Sequence, residues 1–214
     1  MLIALEGWTE RAEGWNFSLL KEELENLSIK IVVPRYLDTK GKFSKIRSHC
    51  TVEQYAAKVE AAILREKQKD PNAKIYVLGH SLGGLIARYL CNRKFFPEER
   101  MILAGTPNLG VDFGPLKNLF FMILAKIFNV PVFFQIIKGS NFIYSINLNG
   151  IPEKAIYISG QEDKVVSRDS SDPLKKGIII PNCGHKLFPR EKEKLENSAI
   201  PYVRKILEKD LENK

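Results

Sequence analysis

The chain has 214 residues, of which 44% are hydrophobic and 27% charged, as in an ordinary globular domain. Its 14 Gly, 11 Pro and 3 Cys exclude a collagen-like chain, a low-complexity disordered chain and a small disulfide-held scaffold. The formal net charge of +8 would suit nucleic acid or an anionic lipid surface, but no nucleic-acid-binding motif accompanies it. We therefore interpret the charge as a lysine-rich surface and expect no nucleic-acid partner.

The cysteines and the first residues bear on the cellular compartment. Cys50, Cys91 and Cys183 are odd in number and lack CxxC spacing, so neither a disulfide framework nor a zinc site is indicated. Residues 1–8 contain neither a basic segment nor a long apolar run, so no secretory signal is predicted. These features favour a reducing, cytoplasmic location.

Short apolar runs alternate with longer amphipathic ones along the chain, which predicts an α/β fold. The apolar runs are rich in branched residues and predict strands buried on both faces, as in a parallel sheet. They are 2–5, 29–33, 75–78, 101–104, 155–158 and 178–180. Helical periodicity is found in 17–27, 52–67, 82–91 and 202–211. Thr51 and Gln54 match a capping box, and Pro201 suits a first helical turn. We predict about six mostly parallel strands with helices on both faces.

About fifty residues separate the fourth predicted strand from the fifth, which is long for an α/β connection. Within 116–137, 16 of 22 residues are apolar, so a membrane span is the obvious alternative. Lys126 and Pro131 interrupt this segment, and proline breaks or kinks a helix. We therefore predict a single domain with two short helices in an inserted cap at about 111–150. The cap forms either a second small core or an apolar lid, and weak contact with a lipid surface is expected.

A buried strand runs directly into the segment Gly79-His80-Ser81-Leu82-Gly83, and a helical pattern follows at once. A Gly-x-Ser-x-Gly sequence in this setting is typical of a tight turn that presents a serine hydroxyl above a sheet. The two glycines lack a Cβ, which lets the strand and the helix approach each other closely. Ser81 is therefore the candidate nucleophile.

These residues resemble the nucleophile elbow of α/β-hydrolases of the small lipase and esterase kind. Residues 104–110, Ala-Gly-Thr-Pro-Asn-Leu-Gly, resemble a turn found in lipases and related acyl hydrolases. The resemblance covers nearly the whole chain. It implies a minimal α/β-hydrolase fold, since residues 2–5 match the family's third strand. It also implies a serine hydrolase.

A serine nucleophile needs a general base, and the chain has three histidines. His80 lies inside the elbow, and His49 falls between the second predicted strand and its helix. His185 follows the last predicted strand, where the family that the chain resembles places its catalytic histidine. His185 is therefore predicted to be the base.

The base in turn needs an acid that orients it. Residues 156–166 resemble the family's pattern of a strand followed by Gly-x-x-Asp-x-x-Val, which points to Asp163. The order Ser81, Asp163, His185 is the order expected in this fold. The alternatives that the sequence leaves open are Glu162, Asp169 and Asp172.

Two backbone N–H groups are expected to bind the oxyanion that develops during acyl transfer. One belongs to Leu82, the residue after the nucleophile. The resemblance assigns the other to Trp8, with Thr9 as the alternative, although this chain has Glu6-Gly7 where the family usually has His-Gly.

The sequence thus predicts an acyl-enzyme mechanism on carboxylic esters, as in a lipase or carboxylesterase. The phenylalanine-rich cap favours an apolar acyl chain. No cofactor or metal requirement is indicated. The same three residues would also serve a thioesterase, an acyltransferase, a peptidase or a lactonase. A catalytically silent module that binds a membrane or a partner is the alternative from another class.

Overall fold

The computed structural model describes residues 1–7, 17–34, 50–127, 129–189 and 191–212. Its strands are β1 (Leu2–Leu5), β2 (Ile31–Val32), β3 (Tyr76–His80), β4 (Met101–Ala104), β5 (Ile156–Gly160) and β6 (Ile178–Ile180). Its helices are α1 (Ser18–Leu24), α2 (Val52–Lys69), α3 (Leu82–Asn92), α4 (Pro115–Ile127), α5 (Pro131–Ile136), α6 (Asn141–Asn147), α7 (Arg168–Ser171) and α8 (Ile200–Glu212).

The six strands form one sheet in the order β2-β1-β3-β4-β5-β6, and every neighbouring pair is parallel. Alternate side chains of each strand enter opposite faces of the sheet. Ile3 and Leu5 pack into a core with α2, α3 and the insertion, whereas Leu2 and Ala4 pack into a core with α1 and α8. Both faces are therefore covered, and the predicted α/β fold is confirmed.

The element boundaries differ from the prediction mainly at strand ends. The strands β3 and β5 each extend two residues further than predicted, to His80 and Gly160, whereas β2 is shorter than predicted. Thr51 begins α2 with the predicted capping box, since its side chain accepts from the Gln54 N–H and the Gln54 side chain accepts from the Thr51 N–H. Local hydrogen bonds thus fix the start of α2.

The structure describes three helices between β4 and β5. Two helices were predicted within 116–137; α4 begins one residue before this segment, at Pro115, and α5 lies inside it and begins at Pro131. The third, α6, was not predicted. At the base of the insertion, Val111 and Ile137 form an isolated parallel bridge. Among the residues that the structure describes, no helix is both long and apolar enough to cross a membrane.

Arg88 of α3 is completely buried where the insertion packs on α3. Its guanidinium donates hydrogen bonds to oxygen atoms of the Asn108 turn and of the end of α6. These acceptors are the carbonyl and Oδ1 of Asn108, the carbonyls of Ile146 and Gly150, and Oδ1 of Asn147. Burial lowers the pKa of Arg88 to about 10, which leaves it cationic at neutral pH. A cation with neutral acceptors thus joins α3 to the insertion.

We expect Arg88→Met to lower the free energy of unfolding by about 2–4 kcal/mol, because it leaves buried carbonyl and amide oxygens without donors. Urea unfolding of both variants measures the difference. Arg93→Met is the matched control, since Arg93 ends the same helix but lies half exposed beside Glu60. That control should change the free energy by less than about 1 kcal/mol. Equal losses in the two variants would contradict the role assigned to Arg88.

Candidate active site

Ser81 lies alone between the end of β3 and the start of α3. Its backbone has φ 51° and ψ −118°, a conformation that non-glycine residues rarely adopt and that the surroundings must stabilise. The Ser81 N–H donates to the Ala104 carbonyl at 2.9 Å, which ties the turn to the neighbouring strand β4. The predicted strand, turn and helix are therefore present around the serine.

Glycine is required at this turn because backbones approach each other closely. A Cβ on Gly83 would lie 2.3 Å from the Leu5 carbonyl oxygen, and one on Gly79 would lie 2.5 Å from the Gly84 Cα. Real side chains do not reach such distances, so any larger residue would push α3 away from β1 or β3. The glycines thus hold the start of α3 against the carboxyl ends of two strands.

The structure brings Ser81, His185 and Asp163 together from three separate segments at the carboxyl edge of the sheet. Nδ1 of His185 lies 2.7 Å from Oδ2 of Asp163, and Nε2 lies 2.9 Å from Oγ of Ser81. A carboxylate can only accept, so Nδ1 carries the proton and Nε2 is left to accept from the serine hydroxyl. The three groups form one continuous hydrogen-bonded chain.

The Asp163 carboxylate is held by two further donors of its own loop. Its Oδ1 accepts the N–H groups of Val165 and Val166 at 2.8 and 2.9 Å, and its side chain is only 3% exposed. Burial raises the pKa of Asp163, but the His185 imidazole and the two backbone donors outweigh it and lower the pKa below the ordinary value. The carboxylate is therefore ionised at neutral pH.

The other acidic candidates lie elsewhere. Glu162 and Asp169 are exposed, and the buried Asp172 accepts the N–H groups of Lys176 and Gly177. A Cβ on Gly160 would lie 2.4 Å from the carbonyl oxygens of Cys183 and Gly184. Because glycine has no Cβ, the end of β5 can contact the loop that carries His185. That contact brings Asp163, which follows β5, within reach of the histidine.

His80 holds the catalytic-histidine candidate in place, a contact that sequence reasoning missed. Its Nε2–H donates to the His185 carbonyl at 2.8 Å, and its ring lies edge-on to Phe188. A Cβ on Gly105 would lie 3.5 Å from Cε1 and Nδ1 of His185, so that glycine lies directly against the imidazole. The sequence held one signal for this contact, since His80 directly precedes Ser81 in the turn. Their side chains therefore reach the same loop, His80 at the His185 carbonyl and Ser81 at the His185 ring.

The turn after β4 is fixed by buried polar contacts with α7. Asn108 is fully buried, and its Nδ2 donates to the carbonyls of Thr106 and Ser171. Ser170 donates to the Gly110 carbonyl and accepts from the Leu109 N–H. The turn that resembles a lipase motif is therefore held by the segment that follows Asp163.

Of the two predicted oxyanion donors, one falls on described residues. Leu82 occupies the first position of α3, where a helix leaves its N–H groups without intrahelical acceptors. Within the part of the chain that the structure describes, no acceptor takes this N–H. Trp8, Thr9 and the excluded His49 lie outside the described residues.

Two other features bear on what the site can bind. Among the described residues, no group of three or more His, Cys, Asp or Glu side chains could hold a metal ion. A cavity of about 700 Å³ is lined by Met1, Lys30, Lys74 and Tyr76 among others. It lies at the amino ends of the strands and therefore on the side of the sheet opposite to Ser81.

A family model described as "Putative serine esterase (DUF676)" matches residues 23–126, just under half of the chain. No curated protein matches the sequence. Among solved structures, phospholipase PlaB from Legionella pneumophila in complex with thio-NAD is 20% identical with a TM-score of 0.57, and the match covers 77% of this chain and 38% of that one. The chain spans about two fifths of the length of this phospholipase in its two structures.

Two other solved structures match over most of both chains. One belongs to the metagenome-derived lipolytic enzymes LipS and LipT, with 15% identity, a TM-score of 0.63, and coverage of 95% of this chain and 93% of that one. The other is a monoacylglycerol lipase of Paleococcus ferrophilus, with 17% identity, a TM-score of 0.61, and coverage of 96% and 94%.

These matches show that the chain has the fold of α/β-hydrolases, which is the fold that the resemblance of its motifs implied. The family match in addition supports a serine ester hydrolase in general terms.

Proposed function

We propose that the protein hydrolyses carboxylic esters through Ser81, His185 and Asp163. The observation that carries this proposal is the unbroken path from the Ser81 hydroxyl through the His185 imidazole to the Asp163 carboxylate, with contacts of 2.9 and 2.7 Å. Those distances allow a proton to pass between serine and histidine without a rearrangement.

In the first half of the reaction, Ser81 Oγ attacks the ester carbonyl carbon while Nε2 of His185 takes the hydroxyl proton. Asp163 stabilises the imidazolium that results. The carbonyl oxygen becomes an oxyanion, and the Leu82 N–H at the start of α3 donates to it. Collapse of this intermediate breaks the bond to the alcohol oxygen, which receives the proton from His185. The acyl group remains on Ser81.

In the second half, water attacks the acyl-enzyme and gives its proton to the same histidine nitrogen. The proton returns to Ser81 Oγ as the carboxylic acid leaves. The Trp8 N–H remains the predicted second oxyanion donor.

An apolar acyl chain is the proposed substrate feature. The insertion at about 111–150 follows the Asn108 turn at the carboxyl edge of the sheet, and it is rich in Phe, Leu and Ile. We assign it the role of an apolar lid. The solved relatives named above include a phospholipase and a monoacylglycerol lipase, which agrees with a lipid-like substrate.

A series of p-nitrophenyl esters from acetyl to palmitoyl tests both parts of the proposal. We expect kcat/KM to rise with acyl length over the first members of the series, because each buried methylene contributes about 0.8 kcal/mol. Release of p-nitrophenol measures the rate, and Ser81→Ala protein gives the blank. A flat profile would overturn the apolar acyl site, and equal rates with the Ser81→Ala protein would overturn the hydrolase.

A further inference from the structure

The helix α4 exposes most of its large apolar side chains on the side that faces away from the protein. Ala125 is the single buried residue of this helix, which the structure describes throughout. Leu116 is 83% exposed and Ile127 is 68% exposed. Phe121 contacts Phe113 and Phe133 at ring-centroid distances of 5.4 and 5.9 Å, which marks the inner side of the helix.

Five exposed apolar residues lie along one side of α4 and are here named the outward stripe, whereas Phe121, which is 37% exposed, lies on the other side. The stripe consists of Leu116, Leu119, Phe120, Ile123 and Ile127. These positions are three or four residues apart, so they share one side of a helix that turns roughly 100° per residue. Ala125 lies on the opposite side. The side of α4 that faces away from its own domain is therefore apolar, although its inner side, which carries Phe121 and Ala125, is apolar as well.

Basic residues border the outward stripe, and α4 itself contains no acidic residue; Asp112, just before the helix, accepts from the Asn118 side chain and lies 3.8 Å from Lys138. At 100° per residue, Lys117 and Lys126 fall on the two flanks of the stripe, and both are exposed. Between residues 113 and 152 the sequence contains no Asp or Glu, but it contains Lys117, Lys126 and Lys138. Lysines placed there can extend past the apolar side chains toward an aqueous phase that carries negative charge.

We propose that α4 docks on an anionic lipid surface, with the outward stripe among the acyl chains and Lys117 and Lys126 at the phosphate level. Helices that lie in a membrane interface combine an apolar face with flanking Lys or Arg. A second copy of the chain fits the stripe less well. Two α4 helices packed face to face would bring lysines against lysines, with no acidic residue of α4 to neutralise them.

This docking would direct the proposed active site toward the lipid. The insertion that carries α4 leaves the sheet after the turn at Asn108, at the carboxyl ends of the strands. Ser81 lies at the same edge, directly after β3. The lipid surface holds the enzyme, and binding does not require the chemistry of Ser81.

Sedimentation with vesicles tests the docking in Ser81→Ala protein, so that hydrolysis cannot alter the lipid. Vesicles of phosphatidylcholine alone are compared with vesicles that also contain phosphatidylglycerol. We expect Phe120→Ser combined with Ile127→Ser to weaken partitioning by at least about tenfold, because two exposed apolar side chains no longer enter the interface. Leu64→Ser is the control, since Leu64 is an exposed residue of α2 and should change nothing.

The lysines are tested in the same assay. Lys117→Ala and Lys126→Ala should each weaken binding to anionic vesicles by about fivefold and leave binding to neutral vesicles nearly unchanged. Lys21→Ala and Lys205→Ala, at exposed positions of α1 and α8, are the charge-matched controls. All the substituted residues are exposed, so the far-ultraviolet circular dichroism of the variants should match that of the parent protein.

Three results would overturn the proposal. The first is binding that is unaffected by the stripe substitutions, and the second is equal loss in the stripe and control variants. The third is a concentration-dependent dimer, seen by sedimentation equilibrium, that the Phe120→Ser and Ile127→Ser pair abolishes while vesicle binding persists, because the stripe would then be covered by a second copy. Absence of ester hydrolysis in the protein that retains Ser81, together with intact vesicle binding, would refute the proposed function and leave this docking in place.

Discussion

Ser81→Ala and His185→Ala should each lower kcat for ester hydrolysis by about three to six orders of magnitude, and the double variant should lose little more than either alone. The reason is that Ser81 Oγ and His185 Nε2, 2.9 Å apart, act as one unit in a single proton transfer. Once either side chain is removed, the remaining one can no longer take part in this proton transfer. Steady-state rates of the four proteins complete the double-mutant cycle.

A fluorophosphonate probe gives an independent readout of the same pair. The parent protein should be labelled at Ser81, and the His185→Ala protein should be labelled far more slowly because its serine has lost the base. The Ser81→Ala protein should not be labelled at that position. A shared role would be contradicted if kcat of the double variant fell by the product of the two single losses. Equal labelling rates with and without His185 would contradict it as well.

Asp163→Asn should lower kcat by about 10⁴-fold while leaving the fold intact. An amide at this position can donate to Nδ1, which stabilises the imidazole tautomer that carries its proton on Nε2 and cannot accept from Ser81. Glu162→Gln is a close control, because it alters the neighbouring residue, whose side chain is exposed. It should change kcat less than about threefold, since an exposed charge acts only weakly at a distance.

Thermal unfolding should show that the Asp163→Asn and Glu162→Gln proteins both remain folded at the assay temperature. Equal kcat values for Asp163→Asn and the parent protein would mean that another group orients His185. A large loss in Glu162→Gln alone would transfer the role of the acid to Glu162, the main alternative in the sequence.

Much of the fold could be predicted because the relevant signals are local. A buried strand, Gly-x-Ser-x-Gly and a helical pattern follow one another within 75–91, so the turn at Ser81 needs no long-range information. The parallel sheet then brings the carboxyl ends of all six strands to one edge. The loops that carry Asp163 and His185 follow neighbouring strands, and their meeting follows from that order.

What could not be predicted depends on which surfaces cover one another. The apolar pattern of α4 shows that Leu116, Phe120 and Ile127 share a face, but a periodicity does not reveal that the protein leaves this face uncovered. The seven-residue helix α6 is too short for its periodicity to be distinctive. The burial of Arg88 depends on α6, and charged residues are rarely buried without an ionic partner.

The guanidinium of Arg88 makes the insertion difficult to exchange. A chimera that replaces residues 111–150 with the corresponding segment of a solved α/β-hydrolase would lose the acceptors that Ile146, Asn147 and Gly150 provide. The buried Arg88 cation would then keep only the two oxygens of Asn108 as acceptors. A successful graft must either supply carbonyl or amide oxygens at those points or replace Arg88 with an uncharged side chain at the same time. The segment to which we assign the choice of acyl chain is therefore also a segment on which the packing of α3 depends.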